Sequence, residues 1–357
     1  MSTIIESQSD WMRTSVCHLD LVAEAAARAR QDRLTKPHGA LGRLEDIAIR
    51  LAGMQGRVQP RIERVHIAVF AADHGVAEEG VSAFPQAVTV EMVRNFARGG
   101  AAISVLAREI GATLEVVNVG TIGDPGVFEN VLDRRVAAGT ANFCAAPAMT
   151  AAQLQTALAA GHEAAQRAAN EGADLFIGGE MGIANTTAAS AVACALLDLP
   201  GATLAGPGTG VDADGVRHKA RTIDRALVMH RDSFSDAFDV LRCVGGFEIA
   251  ALSGAFLHCA QRGVPALVDG FIATVAALAT SRLVPEAGAW FFYAHRSAEP
   301  GHRHVMKALA AEPLLDLGMR LGEGSGAALA VPLLKMACAL HANMATFADA
   351  GVSEKIT

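Results

Sequence analysis

Apolar and polar positions along the chain follow a helical pattern before residue 60 and a strand pattern after it. Residues 41–54 repeat apolar side chains at helical spacing, and residues 19–29 are rich in alanine, so both segments are predicted helices. From Val65 onward, short β-branched runs end in glycine or acidic loops, and helix-like segments separate them. This alternation predicts an α/β fold with a mostly parallel sheet and helices on both faces.

The predicted strands lead into loops that carry polar side chains. The strand-like runs are residues 65–70, 114–119, 174–177, 265–268 and 289–293. The loops after them contain Asp73 and His74, residues 178–182 with Glu180, Asp269, and His295 with Ser297. Because ligands of such sheets bind beyond the carboxyl ends of the strands, one rim of the sheet is expected to hold a ligand site.

Composition and charge exclude several kinds of protein. With 51% hydrophobic but only 5% aromatic residues, the interior must consist mainly of small and aliphatic side chains, as where helices pack closely on a parallel sheet. The net charge of -7, without basic runs that interleave with aromatics, predicts no nucleic-acid partner. The six cysteines lack Cys-x-x-Cys or zinc-ligand spacing, so we expect reduced thiols in a cytoplasmic protein.

The sequence predicts neither export nor membrane insertion. The first ten residues lack a cationic start followed by an apolar block. The apolar stretch at residues 326–334 is too short to span a bilayer, and Lys335 follows it. We therefore expect a soluble protein with no membrane partner. The 357 residues allow one large α/β unit with an appendage, and residues 57–64 are a candidate boundary.

Glu323 is the candidate catalytic base. It lies between Gly322 and Gly324, immediately before a long apolar segment with helical character. Glycines on both sides cost backbone entropy, and a carboxylate in this setting is exposed to whatever binds there. The alternative is an incidental acid at the start of a helix, where the helix dipole would stabilise it.

Residues 178–187 are a candidate phosphate site. They join a buried strand to a helix that is expected to begin near Asn185, with its N-cap among residues 185–187. Free backbone amides at such a terminus can hold a phosphate, although the glycines could also serve only a tight turn. The pattern is neither a Walker loop nor Gly-x-Gly-x-x-Gly, so it indicates neither a nucleoside triphosphate nor a dinucleotide.

A cation for this phosphate is available in the helix-like segment that follows residue 215. His218, Lys219 and Arg221 lie there, and lysine suits the role because it is a mobile point charge. The alternative is a solvated helix face. Asp212 and Asp214 precede this segment, but an EF-hand counted from Asp212 would need a glycine and a glutamate where the chain has Arg217 and Ile223.

Asp73 and His74 allow a metal-site interpretation. They follow a predicted strand, and His295, His302 and His304 could supply further ligands. The chain has no His-x-x-x-His on a helix and no paired cysteines, the spacings that usually indicate a metal. We therefore expect no metal site, and a metal-dependent hydrolase using Asp73 and His74 remains the alternative among enzymes.

Several of these segments together resemble the nicotinate-nucleotide:dimethylbenzimidazole phosphoribosyltransferases, which assemble the lower ligand of cobalamin. The resemblance covers nearly the whole chain and rests on residues 36–45, 72–76, 179–187, 244–247, 267–271 and 319–327. It implies a large Rossmann-like domain at residues 60–330 and a small helical domain formed by residues 1–59 and 331–357. It also implies a homodimer.

The resemblance further implies a reaction and the residues that perform it. The reaction is transfer of 5-phosphoribose from nicotinate mononucleotide to 5,6-dimethylbenzimidazole, with inversion at the anomeric carbon and without a cofactor. Glu323 would be the general base, and Glu180 an auxiliary carboxylate near the ribose. The implied phosphate contacts are the Gly182 and Ile183 amides, Lys219 and Ser297, and the implied base-pocket residues are Phe84, Met92 and Leu321. A nucleotide-binding protein without turnover is the alternative outside enzymes, and the preferred base stays open among benzimidazoles, purines and phenols.

Overall fold

Six parallel strands form the single sheet of the computed structural model, which describes residues 10–353. The first nine residues, where the absence of an export signal was predicted, and the last four lie outside the described residues. The strands are β1 (Val65–Ala72), β2 (Thr113–Gly120), β3 (Val131–Asp133), β4 (Leu175–Met181), β5 (Ala266–Val268) and β6 (Phe291–Tyr293). Their order across the sheet is β3-β2-β1-β4-β5-β6. The predicted α/β class and parallel sheet are confirmed.

Fourteen helices surround the sheet in the described part of the chain. They are α1 (Leu21–Arg33), α2 (Arg43–Gln55), α3 (Ala87–Arg98), α4 (Ala102–Ile110), α5 (Ala151–Asn170), α6 (Asn185–Leu197), α7 (Gly201–Leu204), α8 (Ala213–His230), α9 (Ala237–Val244), α10 (Phe247–Arg262), α11 (Phe271–Leu283), α12 (His302–Ala308), α13 (Ser325–Asn343) and α14 (Phe347–Ala350). The two predicted N-terminal helices correspond to α1 and α2.

The strand order places a topological switch point between β1 and β4. From β1 the chain proceeds outward through β2 and β3, and then returns to build β4, β5 and β6 on the other side. This is the strand order of the Rossmann fold, in which the crevice beyond the carboxyl ends of the two central strands binds the ligand. The fold therefore predicts a site after Ala72 and Met181, where β1 and β4 end.

The third predicted strand was too short. β4 continues to Met181, so Gly178, Gly179 and Glu180 belong to the strand and not to a loop. A side chain at Gly178 would meet Leu252 of α10 at 2.5 Å, and one at Gly179 would clash with the Glu323 carbonyl oxygen. Because successive residues of a strand point to opposite faces, α10 covers one face and the segment before α13 covers the other. Both glycines are needed for close packing.

The sequence pattern missed the edge strand β3, which has only three residues. A run of three is too short for its periodicity to be distinguished from that of a loop. The predicted strand at residues 289–293 is also shorter in the structure, because the 3-10 segment Pro285–Trp290 occupies its first part.

Helix α10 forms the centre of the core. Its residues from Phe247 to Gln261 are all buried, which is typical of a helix enclosed on every side. It packs against α5 and against β1, β2 and β4. All six cysteines are free thiols, and four of them are buried, whereas Cys17 is exposed.

Helix α13 is longer than its apolar stretch suggested. It continues through Lys335 to Asn343, and it is the one helix of the described residues that is long and apolar enough to cross a membrane. Of its most apolar window, 56% is buried inside the protein, as in a core helix. α13 packs on α2, and α2 packs on α1. Because α13 is continuous across residue 330, a domain boundary there would divide one helix, and the division into two domains stays a prediction.

Candidate active site

A cavity of about 340 Å³ lies at the switch point of the sheet. Eight of the nine predicted site residues line it, namely Phe84, Met92, Glu180, Gly182, Ile183, Ser297, Leu321 and Glu323. The ninth, Lys219, lies behind the wall, where its Nζ donates to the hydroxyl of the lining residue Thr186 at 3.1 Å. Segments that are far apart in sequence therefore meet at the predicted rim.

A second and larger cavity, of about 760 Å³, lies between α2 and the segment after β6. It contains none of the predicted residues. The guanidinium groups of Arg43 and Arg50 at its wall are bonded to the backbone carbonyls of Pro313 and Phe291 at 2.7 and 3.0 Å. The smaller cavity is lined by the carboxylates of Glu180 and Glu323 and by the glycine loops, so we assign it as the candidate active site.

Glu323 occupies a strained backbone position at the cavity wall. Its φ is +65°, and the flanking Gly322 and Gly324 have φ of +88° and +86°. A non-glycine residue in this left-handed region costs about 1–2 kcal/mol, so a glycine at 323 would have less backbone strain. The chain nevertheless keeps a glutamate there, which favours a function for the side chain.

The Glu323 carboxylate is held by the start of α4. Its Oε2 accepts a hydrogen bond from the Ile103 amide at 3.1 Å, and its Oε1 has no hydrogen-bond partner among the described residues. The side chain is only 5% exposed. Burial raises the pKa of Glu323, and the Ile103 amide opposes part of that rise. A carboxylate with a raised pKa is better suited to accept a proton near neutral pH.

Glu180 stands beside the Glu323 segment, near the carboxyl end of β4. The side-chain amide of Asn185, at the start of α6, donates to Glu180 Oε2 at 2.5 Å. Gly322 lies so close that a side chain there would clash with Glu180 Oε1. Burial, followed by the charges of Asp269 and Glu248, raises the pKa of Glu180 to about 8.

A third carboxylate, Asp269, fixes the loop that carries Glu323. It follows β5, and its two oxygens accept from the Gly324 amide at 3.2 Å and the Ala327 amide at 2.8 Å. These bonds satisfy amides at the start of α13, where no side chain of the N-cap residue does so. Burial raises the pKa of Asp269, and His295, at 3.6 Å, opposes the rise.

A turn at residues 206–208 meets the cavity wall through Gly208 and contacts Lys219 through Gly206. Lys219, which is 1% exposed, donates to the Gly206 carbonyl oxygen at 3.1 Å. Burial lowers the pKa of Lys219 to about 8. One ammonium group in a buried position, close to backbone groups of glycine, can bind a phosphate as a point charge.

Ser297 is oriented by a chain of hydrogen bonds. Its amide donates to His302 Nδ1 at 2.8 Å, and His302 Nε2 contacts Thr274 Oγ1 at 3.0 Å. The Thr274 hydroxyl donates to the Gly270 carbonyl oxygen at 2.7 Å, so the proton of the neutral ring must lie on Nε2. Burial lowers the pKa of His302 to about 3, which keeps this ring neutral. His302 therefore positions Ser297 and is not available as a metal ligand in this arrangement.

The start of α6 agrees with the prediction, but its N-cap residue does not. The helix begins at Asn185 as predicted, but its N-cap is Ala184, with φ of +73° and no capping side chain. The prediction of a polar N-cap among residues 185–187 is therefore wrong. The Ile183 amide donates to Thr89 Oγ1 at 3.1 Å. A phosphate at this amide would have to share or replace that bond.

The other wall of the cavity is apolar. Val88 and Met92 lie one helical turn apart on α3 and both line the cavity, as do Phe84 and Leu321. Phe84 and Leu321 are 51% and 57% exposed, so they stand at the mouth. Such a wall can receive a flat, mostly apolar aromatic ring.

Asp73 and His74 do not line the cavity. His74 is fully buried, and its Nε2 lies 2.8 Å from Glu248 Oε1, which is also fully buried. Asp73 Oδ2 accepts from the Ile122 amide at 2.8 Å. Residues 10–353 contain no group of three or more His, Cys, Asp or Glu side chains placed to hold a metal ion. The geometry gives these two residues a packing role and does not favour the hydrolase interpretation.

Some residues of the site had not been assigned a role from the sequence. Asp269 had a signal, since it lies in the loop after a predicted strand, and Asn185 had been considered only as the start or N-cap of a helix. Arg320 also lines the cavity and lies in the motif at residues 319–327, but no role was assigned to it, whereas Glu299 belongs to no pattern that can be seen in one sequence.

Comparisons with known proteins agree with this fold and identify the family. A family model described as Phosphoribosyltransferase matches residues 16–352, so fold, cavity and family together define a phosphoribosyltransferase. A Pseudomonas aeruginosa protein named nicotinate-nucleotide–dimethylbenzimidazole phosphoribosyltransferase is 61% identical over 345 residues, which are 97% of this chain and 98% of that protein. A Pseudomonas putida protein of the same name is 59% identical with the same coverage. The chain belongs to the family of nicotinate-nucleotide–dimethylbenzimidazole phosphoribosyltransferases.

A solved structure supports the same assignment. The crystal structure of the enzyme of that name from Thermus thermophilus matches with a TM-score of 0.90 at 46% identity. The match covers 94% of this chain and all of that one. The resemblance drawn from the sequence motifs is therefore confirmed for family and fold, whereas the roles of individual residues stay predictions.

Proposed function

We propose that the protein transfers 5-phosphoribose from nicotinate mononucleotide to 5,6-dimethylbenzimidazole, giving α-ribazole 5′-phosphate and nicotinate. The observation that carries this proposal is the division of one cavity into three parts. Ser297, together with Lys219 behind the wall, supplies the polar end, Glu180 and Glu323 supply a carboxylate centre, and Phe84, Met92 and Leu321 supply an apolar wall. A phosphate, a ribose and a flat base are the three parts of the substrates. The names of relatives at 59–61% identity describe the same activity.

Glu323 is the general base of the proposed reaction. One ring nitrogen of the benzimidazole attacks the anomeric carbon, and the other ring N–H becomes acidic and loses its proton to the carboxylate. The Ile103 amide occupies Oε2, so Oε1 is the oxygen that accepts the proton. A positioned base typically supplies about 10²- to 10⁴-fold, or about 3 to 5 kcal/mol of barrier.

The bond changes balance without a further reactant. The new bond from carbon to benzimidazole nitrogen forms on one face of the sugar as the bond to nicotinate breaks on the other, which gives inversion. The electron pair of the broken bond goes to the ring nitrogen of nicotinate, which was cationic and leaves neutral. No negative charge develops on the leaving nitrogen, so this step does not require a Lewis acid.

Glu180 stabilises positive charge near the sugar. The pyridinium ring and the anomeric carbon of the loosened transition state are both electron-poor, and a buried carboxylate interacts strongly with such charge. The nearby cation of the bound nucleotide favours the ionised form of Glu180, whose pKa burial otherwise raises to about 8. Asn185 keeps the carboxylate oriented through its bond to Oε2.

The phosphate group of the nucleotide binds at the polar end. Lys219 supplies a full charge, Ser297 a hydroxyl donor and Gly182, with Ile183, the backbone amides at the start of α6. The benzimidazole packs on the apolar wall formed by Phe84, Met92 and Leu321. A larger or smaller side chain in place of Phe84 or Leu321, at the mouth of the cavity, would then change which base is preferred.

A cytoplasmic homodimer is part of the same proposal. α13 carries the exposed apolar side chains Leu329 and Met336, 38% and 56% exposed, seven residues apart on one helix face. Apolar side chains grouped on one face are typical of an interface. Sedimentation of the purified protein and of Met336→Lys would test this, with a twofold larger mass for the unmodified protein and a smaller one for the variant. A monomer mass for the unmodified protein would contradict the homodimer, and a dimer mass for both proteins would show that the interface lies elsewhere.

The direct test of the transfer is incubation with both substrates followed by chromatography. We expect equimolar nicotinate and α-ribazole 5′-phosphate, with the product in the α configuration by nuclear magnetic resonance. Glu286→Gln, which changes an exposed glutamate, is the matched control and should react normally. Tight nucleotide binding without product would favour the non-catalytic alternative, and free ribose 5-phosphate with nicotinate would indicate a hydrolase.

A further inference from the structure

Glu299 is a buried carboxylate at the cavity that the proposed reaction does not use. It is 5% exposed and lines the cavity beside Ser297. Its Oε1 accepts a hydrogen bond from the Gly208 amide at 2.9 Å, and its buried Oε2 has no hydrogen-bond partner within residues 10–353. Leaving a buried oxygen unpaired costs about 1–3 kcal/mol, which a neutral side chain with one acceptor would avoid. The bond to Gly208 alone therefore does not explain a glutamate.

Three charged side chains hold the glycine turn at residues 206–208. Lys219 donates to the Gly206 carbonyl oxygen at 3.1 Å, and Glu299 accepts from the Gly208 amide. Arg320 donates to the Gly208 carbonyl oxygen at 2.8 Å from the exposed side. Lys219 and Glu299 thus lie on either side of one short turn, each bonded to it, without a direct ion pair within 4 Å.

This arrangement bears on the charge of Lys219. Burial disfavours an ammonium, and it lowers the pKa of Lys219 to about 8. The charge that opposes this fall is that of Glu299. Conversely, burial raises the pKa of Glu299, and Lys219 is the first of the groups that lower it again, followed by the Gly208 amide and Arg320. Each of the two charges therefore favours the ionised form of the other across the turn.

We propose that Glu299 is a positioning residue of the phosphate subsite, which holds the Gly206–Gly208 turn and keeps Lys219 cationic. This inference rests on the proposed phosphate subsite. Its consequence is that the protein can bury the phosphate-binding lysine, where it is most selective, without losing its charge at neutral pH. Glu299 acts through Lys219 and the turn, and contact with the substrate is not required.

The test is the dependence of nucleotide affinity on pH in Glu299→Gln. Glutamine keeps an oxygen for the Gly208 amide, so the variant removes the charge and little else. If the pKa of Lys219 falls by about one unit, the ratio of variant to unmodified Kd for nicotinate mononucleotide rises about sixfold between pH 6.5 and pH 8.5. Nicotinate riboside, which lacks the phosphate, should show a constant ratio. Calorimetry at each pH measures both ligands.

Two further variants separate the possible explanations. Ser297→Ala removes a neutral contact, so its Kd ratio should be the same at every pH. Lys219→Arg carries a guanidinium that does not lose its proton, so adding Glu299→Gln to it should have no pH-dependent effect. A constant ratio for Glu299→Gln in the Lys219 background would overturn the inference and leave Glu299 as a purely structural residue.

The unmodified protein provides a test that does not depend on a variant. Its affinity for the nucleotide should fall in a transition centred near pH 8, and a transition centred at neutral pH or below would contradict the inference. Lys219→Ala distinguishes a failure of the phosphate subsite from a failure of the role of Glu299. If this variant weakens nucleotide and riboside equally, the phosphate subsite itself is wrong, whereas selective weakening with a constant Glu299→Gln ratio removes only the role of Glu299.

Discussion

Buried charges occur at both ends of the sheet, and the two ends treat them in opposite ways. At the amino end, Glu115 of β2 accepts two hydrogen bonds of 2.9 Å from Arg167, and His66 of β1 lies 3.5 Å away. Burial alone would raise the pKa of Glu115, but these partners lower it overall. At the carboxyl end, Glu180 and Glu323 have amide partners but no cation in the described part of the chain, and their pKa values are raised.

This difference is the one expected between structural charges and the functional ones proposed for Glu180 and Glu323. A paired carboxylate is ionised and inert, whereas a buried one without a cation can take up a proton or stabilise a positive substrate. Keeping such groups unpaired costs stability, so they persist where they have a use. The burial pattern alone does not distinguish the two ends, because Glu115, Glu180 and Glu323 are all less than 10% exposed.

The largest effect should come from Glu323→Gln. Losing the general base should slow formation of α-ribazole 5′-phosphate by at least about a hundredfold while nicotinate mononucleotide binding is retained. Folding should not be impaired, because the variant removes a buried charge whose pKa burial raises. Steady-state kinetics and a binding titration measure the two effects. A rate within about tenfold of the unmodified protein would remove Glu323 from the mechanism.

Lys219→Ala should give the next largest effect. A charged hydrogen bond contributes about 1.5–3 kcal/mol, so binding of the nucleotide should weaken by roughly tenfold to a hundredfold. Binding of the free benzimidazole should not change, because it carries no phosphate. Equal losses for both ligands, measured by calorimetry at pH 7, would show that Lys219 supports the cavity in general.

At the amino end, Arg167→Ala should lower stability and leave the chemistry intact. It leaves Glu115 buried without its main partner, and we expect a loss of about 1–3 kcal/mol, allowing for an Arg167 side chain that is 30% exposed. The loss should appear in urea unfolding at pH 7 and diminish as the pH falls below the ordinary glutamate value of 4.5, through the lowered folded-state pKa of Glu115. A fall in kcat per folded molecule would contradict a purely structural role for the charges at the amino end.

Glu180→Gln should have the opposite effect on stability, and a smaller one. The folded-state pKa of about 8 exceeds the ordinary value of 4.5, so the folded state binds more protons and becomes less stable as pH rises from 5 to 8. Glutamine removes this dependence, and we expect a gain of about 1–2 kcal/mol at pH 8 with reduced activity. Thermal unfolding at pH 5 and pH 8 would measure it, and an equal change at both values would argue against a raised pKa.

Much of the fold followed from the sequence, because its signals are local. Five β-branched runs and the alternation with helices were sufficient for the parallel sheet, and only the three-residue β3 was missed. Gly178 and Gly179 were misassigned to a loop. They are small because Leu252 and Glu323, which are distant in sequence, pack against them. Close packing of this kind leaves no local periodicity.

The site was predictable to the extent that its residues lie in motifs. Glu323 lies in a glycine-rich segment and Lys219 in the helix that follows one, whereas Glu299 has no pattern around it, although it contacts the same turn as Lys219. Ile103 contributes only its backbone amide, so its side chain carries no information about that contact. Roles that depend on backbone groups or on burial require the folded structure.

The central claim is that Glu323 removes a proton from the attacking base, and a base without that proton tests it most directly. In 1,5,6-trimethylbenzimidazole a methyl group replaces the ring hydrogen, so nothing has to be removed after attack. Nicotinate release in a single turnover should then be equally fast, within about threefold, in the unmodified protein and in Glu323→Gln, whereas with 5,6-dimethylbenzimidazole the variant should be at least about a hundredfold slower. A hundredfold loss with both bases would contradict proton removal by Glu323.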